Sequence, residues 1–131
     1  MKILHLLNTN KFSGAENVVC QIINIVRTQN PNRDLEMVYC SPVGSIREAV
    51  NERQISYVPI SKMCIKEVRR VIKEQKPDVI HAHDMRASFF ASLCCGKIPL
   101  ISHIHNNSLG SRKVSVKSLL FLYSALKAKH I

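Results

Sequence analysis

Apolar and polar positions along the chain fall into short buried runs separated by helical stripes. Lys2–Asn8 is a mostly apolar run closed by polar residues, which predicts a buried strand. Asn8–Gly14 reads as a loop. Ala15, Val18, Val19, Ile22 and Val26 then recur at helical spacing, predicting a helix to about Thr28 that Asn30-Pro31-Asn32 stops. Asp34–Cys40 reads as a second strand, and Ser45 with Glu48 as a capping box opening a short helix to about Glu52. Ile55–Ile60 is a third strand. Ile65, Val68 and Ile72 mark an amphipathic helix over Ser61–Gln75, with Lys62, Lys66, Arg69, Arg70 and Lys73 on its polar side. After the turn Lys76-Pro77-Asp78 come a fourth strand, Val79–His83, and a small-residue helix, Ala87–Cys95, ended by Gly96. Ile98–His103 is a fifth strand, Asn106–Ser111 a polar loop and Ser115–Lys127 a final helix.

Strands and helices alternate five times. Parallel strands need right-handed helical crossovers, so the pattern predicts a three-layer α/β/α Rossmann-like fold. Its sheet holds about five parallel strands, in the order 3-2-1-4-5. At 131 residues and 46% hydrophobic the chain is one globular domain.

Charge and cysteine usage narrow the function. There are 19 Lys+Arg against 9 Asp+Glu, a net charge of +10. Asp84 is the last acid; Arg86, Lys97, Arg112, Lys113, Lys117, Lys127 and Lys129 follow it without a carboxylate. Such a basic half suggests an anionic partner, an anionic membrane surface or a phosphorylated ligand, and reads equally as a solvated face. With no Trp and 5% aromatics, nucleic acid is not expected. Five scattered cysteines without a Cys-x-x-Cys indicate a reducing cytosol. A cytoplasmic protein, at most peripheral to the inner face of the membrane, is therefore expected, since no apolar run is long enough to span one.

Three places bear chemistry. The first is Asn8–Glu16, which joins the first strand to the first helix. Gly14 lets backbone approach a ligand, and the helix N-terminus behind it suits phosphate. Ser13 and Glu16 have capping-box spacing, so Glu16 also reads as a cap. A Gly-x-Gly-x-x-Gly and a P-loop are absent, which argues against a dinucleotide or mononucleotide fingerprint. The second is His81 and His83, two apart at a strand end, followed by Asp84, a residue suited to orienting an imidazole or taking a sugar hydroxyl. The third is His103 and His105 with Asn106 and Asn107. Four of six histidines lie in these two pairs. Zinc needs three ligands converging in one sphere, and pairs on adjacent strands can face opposite ways, so no metal is expected. His81 and His103 read as core histidines, and His83 and His105 as the functional pair. In the order 3-2-1-4-5 the Gly14 loop and His83 face each other across one crevice.

These residues resemble a family. Ser13-Gly14-Ala15-Glu16 is similar to the Gly-Gly-x-Glu loop of the retaining GT-B glycosyltransferases of family 4. Lys76-Pro77-Asp78-Val79-Ile80-His81-Ala82-His83-Asp84 resembles that family's Pro-Asp-apolar-apolar-His-x-His segment. Pro99–Asn106 resembles its later strand ending in His-Gly or His-Asn. Ser13 replaces the first Gly of the loop. The resemblance implies transfer of a sugar from a nucleotide-sugar to a polysaccharide or lipid-linked acceptor with retention. By that likeness Ser13, Gly14, Ala15 and Glu16 lie near the donor phosphates. His83 is the implied catalytic residue, and Asp84, His105 and Asn106 are implied binders of donor or acceptor. No cofactor is implied beyond the nucleotide-sugar substrate. The family uses two Rossmann-like domains, and the second one's Arg/Lys pair and Glu-rich motif have no match here. The expectation is an acceptor-side N-terminal domain, incomplete at its C-terminus, without its donor-binding partner and inactive alone. The rival reading is a non-catalytic α/β module that binds a phosphorylated ligand or a partner. A zinc hydrolase built on the four histidines is a third reading.

Overall fold

A computed structural model of the chain describes residues 1–32, 34–105, 126 and 128. The elements run β1 (Lys2–Leu6), α1 (Gly14–Gln29), β2 (Glu36–Pro42), α2 (Ile46–Glu52), β3 (Ser56–Ile60), α3 (Ile65–Gln75), β4 (Val79–Ala82), α4 (Met85–Cys94) and β5 (Leu100–Ser102). The strands form one parallel sheet in the order β3-β2-β1-β4-β5, as the alternation predicts. Pro59 lies in β3, an edge strand, where its missing N–H costs no ladder bond.

Two apolar layers sandwich the sheet. Leu4, Leu6, Val38, Cys40, Ile80, Ala82 and Leu100 pack against Val68 and Val71 of α3 and Ala87 and Ala91 of α4. On the opposite face Leu7 and Tyr39 pack against Val19, Cys20 and Ile23 of α1 and Ile46 and Val50 of α2. Strand residues two apart share a face, so β2 feeds both layers, whereas the apolar residues of β4 and β5 go to the α3/α4 side.

The sequence reading and the structure part at several ends. Ser61–Cys64 is not helical: the Ser61 N–H donates to Glu67 Oε2 at 2.9 Å, so Glu67 ties down a turn ahead of α3. The helix after β4 opens at Met85 because Asp84 caps it. The capping box expected at Ser45 does not form; Ser45 makes no side-chain cap bond. The stripe of α1 is rotated from its expected setting, with Cys20 and Ile23 buried and Val18 left exposed. The helix expected over 115–127 and the loop over 106–111 lie outside the described residues.

Two carboxylates of the Lys76–Asp84 segment fix β4 beside β1. Asp78 Oδ2 accepts the Lys2 N–H at 2.7 Å, and the Asp78 N–H donates to Lys2 O at 2.8 Å. At the other end Asp84 Oδ2 accepts the Asn8 N–H at 2.7 Å. One acid therefore brackets each end of the β1–β4 pairing, and together they set where the C-terminal edge of the sheet falls.

Candidate active site

The β1–α1 loop forms one wall of the site. Glu16, buried at the start of α1, accepts from the Ser13 N–H at 3.1 Å and from Ser13 Oγ at 2.6 Å, and also from Thr9 Oγ1. Burial pushes the Glu16 carboxyl up, but the Ser13 and Thr9 hydrogen bonds outweigh it and leave the group below its ordinary value. An ionised carboxylate here also complements the N-terminal end of the helix dipole. The loop is held from outside by Gly44: the Ile46 N–H donates to Asn10 O at 3.1 Å, and a Cβ on Gly44 would fall 2.4 Å from that oxygen. Gly14 is different. Nothing lies within 4 Å of where its Cβ would be, so its backbone borders open space.

The β4–α4 turn and the end of β5 form the facing wall. Asp84 spends both carboxylate oxygens on backbone, Oδ2 on Asn8 and Oδ1 on the Ala87 N–H at 2.7 Å. It therefore joins the two walls and caps α4.

The two histidine pairs, which adjacent strands could have turned to opposite faces, lie on the same side of the sheet. His5, His81 and Ile101 are in register across β1, β4 and β5, so the histidines of all three strands lie on the α1 side of the sheet. His81 and His83 stack at 4.0 Å between ring centroids, and His103 and His105 at 4.1 Å. His5 Nδ1 lies 2.9 Å from His83 Nε2, and His83 Nδ1 lies 3.1 Å from His105 Nε2. His83 is 1% exposed, with both ring nitrogens engaged. The burial order also differs from that expected: His81 and His103 are half-buried, whereas His83 is deep. Desolvation, reinforced by neighbouring imidazoles, lowers these rings. His5 falls to about 3 and His81 to about 4, and His83 is pushed below the ordinary histidine range. His105 is lowered as well. All four are neutral at pH 7.

Between the walls lies a cleft of about 880 Å3. Ser13, Gly14, Ala15, Glu16, His83, Asp84 and His105 all line it; Asn106 lies outside the described residues. Thr9, Arg86, Phe89 and Phe90 line it too and were not singled out in the sequence. Neither was His5, whose only signal was its place on the same strand face as its paired neighbours. Such a cleft at the C-terminal edge, between β1 and β4, is the switch point of a doubly wound sheet.

Residues 14–130 match the family model described as Glycosyltransferase Family 4. The chain belongs to glycosyltransferase family 4. No curated protein sequence matches it. Among solved structures, HepE from Anabaena in complex with UDP-glucose is 18% identical, with a TM-score of 0.75 over 95% of this chain and 35% of that one. The lipopolysaccharide outer core galactosyltransferase WaaB, in its apo form, is 19% identical, with a TM-score of 0.72 over 99% and 38%. UDP-GlcNAc 2-epimerase from Neisseria meningitidis, bound to UDP-GlcNAc, is 14% identical, with a TM-score of 0.67 over 100% and 39%. This family 4 chain therefore spans little more than a third of the length of these structures. They share its fold, which is of the GT-B glycosyltransferase type. Among the described residues no helix is long and apolar enough to cross a membrane.

Proposed function

We propose that the chain supplies the acceptor-side half of a retaining glycosyltransferase that moves a sugar from a nucleotide-sugar to a glycan or lipid-linked acceptor. The observation that carries this is the single cleft in which the Gly14 loop faces His83 and His105. Family membership and the fold shared with a UDP-glucose complex support the donor class. No cofactor beyond the nucleotide-sugar substrate is assigned.

The reaction must stabilise a departing diphosphate and a developing oxocarbenium ion. The first N–H groups of α1 have no intrahelical partner and point towards the cleft end of the helix. With Gly14 bordering open space, phosphate oxygens reach those groups without meeting a side chain. Glu16 serves as a positioning residue: its carboxylate is occupied by Ser13 and Thr9 and fixes the loop. Asp84, occupied by Asn8 and Ala87, fixes the opposite wall. His83 is assigned to a sugar hydroxyl. That contact requires Nδ1 to exchange His105 for the hydroxyl, so His83 and His105 act as a pair. Asn106, outside the described residues, is assigned to donor or acceptor binding on the family resemblance alone.

The missing donor contacts are assigned to a second Rossmann-like domain, and the isolated chain is expected to be inactive. Docking at an anionic inner-membrane surface would bring lipid-linked acceptors to the cleft. The exposed Lys62, Lys66, Arg69 and Lys73 on and beside α3 are its described contact residues. The test uses the enzyme with both domains, nucleotide-sugar donors and NMR assignment of the product anomer. Retention of configuration, with turnover reduced in His83→Ala, is expected. Inversion, or no transfer from any nucleotide-sugar, would overturn the reading.

A further inference from the structure

We propose that His83, His103 and His105 form a binding site for one divalent first-row transition ion, of which zinc is the most available. One ring nitrogen from each of the three lies within 4.8 Å of the others. His83 Nδ1 and His105 Nε2 are only 3.1 Å apart. Two imidazole nitrogens on one tetrahedral zinc are about 3.3 Å apart, from Zn–N distances of about 2.0–2.1 Å. That pair therefore needs to move by only tenths of an ångström. His103 is half-buried one residue past β5, with its ligand nitrogen within 4.8 Å of the other two.

The second observation lies beneath the triad. Metal-ligating histidines donate their other ring N–H to an inner acceptor, which fixes the tautomer. His83 has that acceptor: its Nε2 lies 2.9 Å from Nδ1 of His5. With the proton on Nε2, the lone pair of His83 is on Nδ1, facing His105. His5 is 1% exposed, and its Nε2 is a buried polar atom without a hydrogen-bond partner among the described residues. Leaving such an atom unpaired costs about 1–3 kcal/mol, which an apolar residue at this position would avoid. The contact with His83 is what this imidazole gains for that cost.

Neutral imidazoles suit zinc, copper and nickel. On binding, the proton that His105 Nε2 donates to His83 moves through solvent to His105 Nδ1, and the ring stays neutral. Three protein ligands leave a coordination position open. His83 and His105 both line the cleft, so that position faces it. This inference does not rest on the glycosyltransferase reading: the ion and the sugar hydroxyl assigned there would each take His83 Nδ1, so they are alternative occupants of that atom.

The test uses the untagged 131-residue chain, stripped with a chelator and titrated with Zn2+ by calorimetry and with Co2+ by absorption. One equivalent of each is expected to bind. The cobalt spectrum should show d–d bands of a nitrogen-ligated, low-coordinate ion without thiolate charge transfer, since the chain also carries five free cysteines. His103→Gln with His105→Gln should weaken Zn2+ binding by at least about tenfold, as loss of outer ligand support alone does. His130→Gln should leave it unchanged. Circular dichroism checks each fold, and if the double variant unfolds, the single variant His105→Gln decides. Absence of stoichiometric binding, a thiolate band, or affinity unchanged in the deciding variant would overturn the proposal.

Discussion

Replacing Asp84 by alanine should weaken the fold more than its half-buried position suggests. The carboxylate makes two backbone bonds of 2.7 Å, to Ala87 at the start of α4 and to Asn8 at the end of β1. Loss of an N-cap costs about 0.5–2 kcal/mol. A hydrogen bond to a charged group contributes about 1.5–3 kcal/mol. The Asn8 N–H regains some water at the cleft edge, so the lower part of each range applies, and the sum is about 2–4 kcal/mol. In a chain of this size that corresponds to a fall in Tm of about 10 °C. Asp84→Asn keeps one acceptor oxygen and should lose about half as much. Equilibrium urea unfolding measures both, with an unchanged m-value confirming that the native and denatured states are otherwise the same. A loss below about 0.5 kcal/mol for Asp84→Ala would refute the claim that this acid joins the two walls of the cleft.

Gly44→Ala should destabilise by about 1–3 kcal/mol, because the new Cβ meets the backbone of Asn10 and must displace the β1–α1 loop. Gly14→Ala should leave stability nearly unchanged and instead lower nucleotide-sugar affinity in the two-domain enzyme, measured by calorimetry. Glu16 has a folded pKa below its ordinary value of 4.5, so its stabilisation is present above that pH and is lost as pH falls through and below it. Thermal unfolding of wild type and Glu16→Gln across that window should converge towards low pH. Ser88 and Ser102 share a buried hydrogen bond of 2.7 Å between their hydroxyls. Removing either alone should cost about 1–3 kcal/mol, and removing both should cost less than the sum, which a double-mutant cycle would read.

Strand order was legible because the alternation of buried runs and helical stripes points to a parallel sheet, for which 3-2-1-4-5 is a common doubly wound order. The same argument placed the Gly14 loop opposite His83. Element ends were less legible. Ser61–Cys64 has helical composition, but Glu67 draws its first N–H into a turn, a contact six residues long that periodicity does not register. Val18 fits an apolar stripe, yet Glu16 is the buried residue of that first turn because its carboxylate is satisfied there. The histidines were found in sequence as two pairs, but their convergence was not. It depends on register between β1, β4 and β5, which brings in His5 from 76 residues away from His81. Asp84 was assigned from its neighbours as a ligand contact, whereas both its oxygens go to backbone, a choice set by where the β1 end falls.

The central claim is that one cleft, walled by the Gly14 loop and the His83–His105 rim, binds and turns over a nucleotide-sugar. Steady-state transfer by the two-domain enzyme, compared between wild type, His83→Ala and Gly14→Ala, tests it most directly. The account predicts wild-type transfer from a nucleotide-sugar. It also predicts a fall in kcat of about 10²-fold in His83→Ala, the scale of one lost transition-state contact, and a raised KM in Gly14→Ala. Transfer at the wild-type rate and KM by both correctly folded variants would contradict it.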